Sequence, residues 1–600
     1  MYRLLNWRLL VVACGLAACS TESSPGPLSY DDFKALAYHE PGTDRYLVDG
    51  DELVIGDKGL HELYDAYVGS GHDTASLASP GVGTSTQGLI VNRVDGVDGK
   101  YGRSTATQLL YCVSMNFGPG YQAVVDAMEI AAAAWEEVAD VNFVHVASAD
   151  AACTNATTSV VFNVRKGDVF EPCSPCEQVH EPGTAEASGP AAAVVIAHAF
   201  FPGAARVDRE VVLNQLSSGG LTTSGILRHE LGHVIGFRHE HIRPEAHPSG
   251  DCADTRPNDW DPLTPYDPLS VMHYKNCNGT RSGDWVLSAL DKAGAKAWYP
   301  RVSGILWRNV DGSTLVWNDA NPMWTFAPGA PDNTWQIQGV GDFDGNGRSD
   351  ILWRSISGPL TGTISIWGDG KPELWYSPGG LDSNWRIRGV GDFGNNGKSD
   401  ILWRCEPQTP ATACGSAISG SVAIWHDANG GSTSFPGAPD SSWQIQGVGD
   451  FDGNGKSDIL WRNVSGQTAI WQDGTQVNTW PGTLDNNWKI RGVGDFGSNG
   501  KSDILWRCEP QAPATSCGQA STGTVAIWRD ANAGATLLPG APDLGWQIEG
   551  VGDFDGNGKS DILWRNTSGQ VAIWQDGNQI VSFPGTISSS WTAQGVGAFQ

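Results

Sequence analysis

The carboxy-terminal half of the chain alternates apolar and polar positions in short runs that return at a regular beat. Ile-Leu-Trp-Arg recurs at residues 305, 351, 401, 459, 504 and 562. Each copy is followed by an alternating stretch that ends in Trp317, Trp367, Trp425, Trp471, Trp528 or Trp574. A third tryptophan opens Trp-Gln-Ile-Gln-Gly-Val-Gly-Asp-Phe or a close variant, at Trp335, Trp385, Trp443, Trp488, Trp546 and Trp591. A period of two marks strands, and four short strands per unit of roughly 45 to 58 residues predict the blades of a β-propeller. Six units predict six blades. The first unit lacks the Gly-Asp-Phe strand and Gly595 to Phe599 supplies it, so the two ends are expected to share one blade and leave no open sheet edge. Eighteen of the 26 tryptophans hold these three positions, which assigns them to packing before ligand binding.

Upstream the pattern is mixed. Leu109 to Met115 reads as a strand and Gln122 to Val138 as an apolar, alanine-rich helix. Strands follow over Val141 to Val146, Ser159 to Val164 and Ala192 to Ala197, and Val211 to Asn214 is expected at a sheet edge open to an extended peptide. Residues 20–100 show no strong periodicity. Leu9 to Ala18 is apolar but too short for a permanent membrane span.

Charge narrows the partners. The chain carries 66 acidic and 38 basic residues, a net charge of −28, which argues against nucleic acid. Much of the acid sits in loops between the repeats. Asp342, Asp344, Asn346 and Asp350 hold positions 1, 3, 5 and 9 of one loop, with glycines for the tight turn, and suit a hard cation such as calcium. Asp450, Asp452, Asn454 and Asp458 repeat it, as do Asp553, Asp555, Asn557 and Asp561, giving about three calcium sites. In the loops 392–400 and 495–503 the third position is Gly394 or Gly497, and weak or no calcium binding is expected. These loops resemble FG-GAP or VCBS-type repeats, and calcium is expected as a structural staple.

One short segment carries the chemistry. His229 and His233 lie one helical turn apart with Glu230 beside them, Gly236 can turn the chain, and His239 follows. Three neutral imidazoles leave a zinc ion one open position, as catalytic sites do. The segment resembles the astacin-like metzincin metallopeptidases, to which Phe237, Glu240, Arg243 and the Met-turn-like Ser270-Val271-Met272-His273-Tyr274 also conform. The resemblance is dense from about Ser224 to Pro300. It implies an α+β metzincin-type catalytic domain ahead of the all-β propeller of six four-stranded blades. It also implies Glu230 as general base, Tyr274 as oxyanion partner and releasable ligand, and Met272 beneath the metal. Glu240 would bind the new amino terminus after activation, and Arg243 is read as structural. Tyr46 to Asp51 resembles the propeptide motif whose aspartate blocks the zinc, which makes Asp51 the candidate zymogen switch. His180 and His198 lie outside the ligand spacing.

Arg3, Arg8, the apolar run and Leu16-Ala17-Ala18-Cys19 resemble a bacterial lipobox, with Cys19 as the lipidated residue. The expected division is a signal peptide over 1–19, a proregion or linker over 20–100, a peptidase over 101–302 and a propeller over 303–600. Ten cysteines remain beyond Cys14 and Cys19, and export makes disulfides the default. Cys405 with Cys414 and Cys508 with Cys517 sit in matching inserts, and Cys252 and Cys277 bracket the approach to the Met-turn. Cys112, Cys153, Cys173 and Cys176 leave three pairings open. The whole reads as an exported zinc endopeptidase acting on extracellular proteins, tethered by lipid at the cell surface or secreted after processing. Its propeller would bind substrate, surface polysaccharide or matrix. The rival is a surface adhesin whose peptidase domain is vestigial or only self-processing.

Overall fold

The computed structural model describes residues 29–40, 43–48, 52–69, 89–94, 97–167, 195–246, 260–407, 414–510 and 517–599. These fall into two compact units, one of Met1–Lys100, Tyr111–Ala127 and Val146–Val286, the other of Tyr101–Leu110, Met128–His145 and Leu287–Gln600.

In the first unit Tyr111–Val113, Phe162–Lys166, Glu210–Leu213 and Ala197–His198 lie side by side in that order. The first three run parallel, and Ala197–His198 is antiparallel to Glu210–Leu213. Val211 to Asn214 is therefore not the edge. All four residues of Glu210–Leu213 are buried between two neighbours, and Ala197–His198 is the strand beyond it at one edge of the sheet. Other expected elements shift by a few residues. The strand from Leu109 stops at Val113, where Ser114 caps a 3-10 turn over Met115–Gly120. The long helix is Tyr121–Glu136, and the next two strands are Phe143–His145 and Phe162–Lys166. A disulfide joins Cys112 to Cys153, which resolves one of the open pairings, while Cys173 and Cys176 lie outside the described residues.

The described residues between 30 and 69, where no periodicity is legible, are nonetheless folded. Tyr30–Leu36 and Gly56–Gly69 are helices, and a three-stranded sheet of Tyr38–His39, Arg45–Val48 and Glu52–Ile55 lies between them in sequence. Phe33, Tyr46, Val48, Val54, Leu60 and Leu63 form its core. Buried charges tie this element to the larger sheet. Arg45 pairs with Glu210 and, at 3.2 Å, with Asp208; Arg165 pairs with Glu40 at 2.6 Å and Glu210 at 3.1 Å. Burial works to raise the Glu210 carboxyl, but Arg165 and Arg45 overcome it and hold it below its ordinary value.

The second unit contains a propeller of six four-stranded sheets. Its blades are antiparallel, with the Ile-Leu-Trp-Arg strand second and buried along its length. Ring closure is as the repeat count requires: Trp591–Gly597 pairs with Gly304–Asn309, with Ile305 opposite Val596. Two contacts join each blade to the next. The arginine of Ile-Leu-Trp-Arg lies over the following blade's tryptophan: Arg354 over Trp403 at 5.0 Å, Arg462 over Trp506 at 5.0 Å, and Arg565 over Trp307 at 5.6 Å across the closure. Glycine in the innermost strand lets the blades approach. A methyl at Gly339 would lie 2.8 Å from a Val390 methyl, and one at Gly595 only 2.5 Å from Val340. Disulfides join Cys405 to Cys414 and Cys508 to Cys517 within two blades.

Candidate metal centre

The helix Thr223–Val234 carries His229, Glu230 and His233. The Thr222 side chain caps it by accepting from Gly225 N at 3.0 Å, and Asp284 fixes that cap by accepting from the Thr222 amide and hydroxyl at 2.9 and 2.8 Å. The helix stops at Gly236, whose φ of +101° is one a side chain resists. The chain then pairs with Ile90–Val94: Asn92 N donates to Gly236 O at 2.8 Å and Arg238 N to Ile90 O at 3.0 Å. That reversal brings His239 back onto the helix.

All three histidines are at most 1% exposed. The Nε2 atoms of His229 and His233 each lie 3.2 Å from His239 Nε2. His229 Nδ1 lies 2.7 Å from Val271 O, and His233 Nδ1 lies 2.7 Å from Phe237 O. A carbonyl only accepts, so each Nδ1 carries the proton and each Nε2 presents a bare lone pair inward. Lone pairs converging in a buried, water-poor site repel unless an electrophile lies among them. Three zinc–nitrogen bonds of about 2.0–2.1 Å at tetrahedral angles put the nitrogens about 3.3 Å apart, close to the observed spacing. The donor set therefore fits a zinc ion, with the backbone carbonyls of Val271 and Phe237 orienting two of its ligands.

The segment Ser270–Tyr274 is joined to the histidine segment by its backbone. Met272 is fully buried, its carbonyl accepts from Glu240 N at 2.9 Å, and its amide donates to Ser270 Oγ at 3.0 Å. Glu230 is 2% exposed, one residue along the helix from His229. The Tyr274 ring packs 4.5 Å from His239 and 5.6 Å from His229. Two neighbours escape sequence reading: Trp285 stacks on His229 at 4.4 Å, and His241 stacks on Tyr274 at 4.6 Å. Glu240 is wholly buried, accepting from Arg243 at 3.1 Å and from Asp267 N at 2.9 Å. Asp51, Cys19 and Cys252 lie outside the described residues, while Cys277 is disulfide-bonded.

In the propeller the structure gathers three acidic triads: Asp342, Asp344 and Asp350; Asp450, Asp452 and Asp458; Asp553, Asp555 and Asp561. In each loop the fifth-position amide, of Asn346, Asn454 or Asn557, leans on the third-position carboxylate at 3.1–3.2 Å. The ninth-position aspartates are fully buried. Burial pushes the carboxyl of Asp350 up to about 7 and those of Asp458 and Asp561 up to about 6, against two backbone N–H donors each. In the two glycine-bearing loops a basic side chain of the protein meets the ninth-position aspartate instead. His426 Nδ1 lies 3.1 Å from Asp400, and the Arg529 guanidinium donates to Asp503 at 3.2 Å and stands 3.4 Å from where a Gly497 side chain would begin. Where the third carboxylate is present, no such side chain is paired with the ninth-position aspartate among the described residues, which fits an external cation.

No protein-family model matches the chain, and no curated protein matches it. The chain is similar to a solved structure of myroilysin, with 16% identity over 35% of this chain and 98% of that one, at a TM-score of 0.22. It is also similar to high choriolytic enzyme 1, a hatching-enzyme zinc protease from the medaka fish Oryzias latipes, with 20% identity over 32% and 88%, at a TM-score of 0.19. YCF48 from Cyanidioschyzon merolae matches 42% of this chain and 74% of its own at 10% identity and a TM-score of 0.24. At such TM-scores these likenesses fix no residue-to-residue correspondence.

Proposed function

We propose that this chain is a zinc-dependent endopeptidase of exported proteins, carrying a calcium-stapled propeller as an accessory binding domain. In this reading residues 1–19 are the leader, 20–100 the proregion, 101–302 the peptidase and 303–600 the propeller. The observation that carries it is the convergence of the three Nε2 atoms of His229, His233 and His239, two of them on rings whose Nδ1 proton is committed to a backbone carbonyl, with Glu230 next to His229 on the helix.

The ion, when bound, supplies Lewis acidity at its open face, making water acidic and a carbonyl electrophilic. Glu230 takes the proton of the attacking water and delivers it to the leaving amine. Tyr274 stands beside the histidines to donate its phenolic proton to the developing oxyanion. An extended substrate would add alongside Ala197–His198, an edge of the sheet among the described residues, with main-chain hydrogen bonds holding it in register. The disulfides Cys112–Cys153, Cys405–Cys414 and Cys508–Cys517 belong to an oxidising compartment. Among the described residues no helix is long and apolar enough to cross a membrane, and the membrane contact we propose is the lipid on Cys19.

Glu230→Gln keeps the size of the side chain and removes the base. Purified Glu230→Gln is expected to hold one zinc per chain by elemental analysis while failing to cleave casein. Undiminished turnover in that variant refutes the mechanism.

A further inference from the structure

Two cavities of about 250 and 270 Å³ open in the propeller at equivalent blade junctions. In the second, Trp480 and Pro481 follow the outer strand of one blade, Gln472 ends its third strand, and Asn532 enters from the turn of the next blade. In the first, Phe583, Pro584, Gln575 and Asn321 take the same places. The linings correspond because the repeat is copied two blades apart.

The rings that line these cavities stay largely open to solvent. The Ile-Leu-Trp-Arg tryptophans are at most 1% exposed, yet Trp480 is 55% and Phe583 58% exposed. Trp480 directly follows its outer strand and touches the Trp443 ring at 5.8 Å, and Phe583 lies within its outer strand; each precedes a proline. Among the described residues the side-chain amides of Gln472 and Gln575 have no hydrogen-bond partner, nor do the hydroxyls of Thr479 and Ser582 beside the two rings. Asn532 and Asn321 each spend Oδ1 on a local turn, accepting from Gly534 N and Met323 N at 2.9 Å, and keep the NH₂ group to donate. The neighbouring aspartates are already engaged, Asp530 with Asn499 at 2.8 Å and Asp319 with Arg103 at 2.6 Å. Each cavity thus offers one flat apolar face, one amide that both donates and accepts, one hydroxyl and one further donor.

We propose that each of these two cavities binds a neutral pyranose unit of a glycan. A pyranose has an apolar C–H face to lay on an aromatic ring and a rim of hydroxyls that donate and accept at once, which is the complement of this lining. Among the described residues no lysine, arginine or histidine lines either cavity, so neither supplies a cation for an anionic sugar. The count follows from the sequence. A third junction repeats the Asp427-Ala-Asn429 turn, but there Gly368 replaces the glutamine, and Leu374 lies 3.2 Å from where its side chain would start. Two sites are expected, not three.

The inference stands independently of the peptidase reading. The full chain, in saturating calcium chloride, is titrated calorimetrically with methyl glycosides of glucose, galactose, mannose, N-acetylglucosamine and N-acetylgalactosamine. An array of polysaccharide fragments and glycoprotein oligosaccharides, probed in parallel, distinguishes the two sources of the same sugar. At least one glycoside is expected to bind with two sites per chain. Gln472→Ala should reduce the count to one, and Gln472→Ala with Gln575→Ala should weaken binding at least tenfold at unchanged circular dichroism and melting temperature. Trp480→Ala with Phe583→Ala, both on the surface, should do the same. Absence of binding to every glycoside and every array glycan overturns the proposal, as does a stoichiometry other than two or wild-type binding by both double variants. Casein cleavage measured on the same samples reports separately on the peptidase.

Discussion

Gly236→Ala tests whether the chain reversal behind the zinc helix is what assembles the site. Two costs can be separated. The first is backbone strain: an alanine at φ +101° loses roughly 1–2 kcal/mol to the collision of its Cβ with its own backbone. The second is contact. The added methyl would lie 2.3 Å from the Gly99 carbonyl oxygen, and an ordinary contact needs about 1 Å more. Gly99 cannot retreat freely, because its amide donates to Asn92 O at 2.8 Å while Asn92 N donates to Gly236 O, also at 2.8 Å. Overpacking of this kind adds about 1–3 kcal/mol. The sum, about 3 kcal/mol, corresponds to a melting temperature lower by roughly 10 °C for a unit of this size. If relief comes instead from moving residues 236–239, His239 leaves its 3.2 Å approach to the other two rings, and a 1 Å displacement costs on the order of 10²-fold in turnover. Gly203→Ala is the control, since Gly203 has φ +97° but open space around it and should show the strain alone. Calorimetry, zinc titration and casein cleavage on the two variants make the comparison. Gly236→Ala with wild-type zinc affinity and turnover, melting no lower than Gly203→Ala, refutes the account.

Three other perturbations follow from the same physics. A carboxyl whose folded pKa lies above its unfolded value binds its proton more tightly when folded, so stability falls as pH rises through that window. With chelator present, the buried Asp350, Asp458 and Asp561 should make the propeller melt roughly 5 °C higher at pH 5.5 than at pH 8. Millimolar calcium should raise the pH 8 transition and abolish the difference, and a pH-independent melt in chelator contradicts the assignment. Arg45→Ala leaves Glu210 buried without one of its cations, at a cost of about 3 kcal/mol, so residues 30–69 should be digested faster in limited proteolysis. Arg462→Lys loses a guanidinium that donates to the carbonyls of Leu484, Asp485 and Trp488 and covers Trp506. A propeller melting transition lower by several degrees is expected, and an unchanged one counts against the blade-to-blade staple.

What was legible in the chain is what repeats or lies within a few residues. The propeller, its six blades and its closure follow from copies of one pattern, so each copy corrects the reading of the others. The His229–His239 segment is equally local, since helix geometry and one glycine suffice to converge its rings. Trp285 and the Val271 carbonyl reach the same ring from over forty residues away, and nothing in their spacing announces it. The strand order failed for a related reason. Glu210–Leu213 is buried on all sides and shows no alternation, while the edge strand Ala197–His198 is two residues long. Residues 45–48 are likewise buried throughout, which erased the alternation that would have revealed the small amino-terminal sheet. The absent carboxylates at Gly394 and Gly497 were readable. The side chains that take their place were not, because His426 and Arg529 each lie 26 residues beyond the aspartate they meet.

The pairing of Trp591–Gly597 with Gly304–Asn309 sets the timing of folding as well as its geometry. Five blades can form as they emerge during synthesis, each from contiguous chain, but the sixth waits for its partner strand almost three hundred residues later. Until then Gly304–Asn309 has one unmatched flank and the Trp307 indole lacks the Arg565 guanidinium that covers it. A translation product halted short of that final strand would display a sticky, three-stranded sheet at the start of the arc. Quality-control factors that recognise such a surface would thereby separate finished molecules from truncated ones.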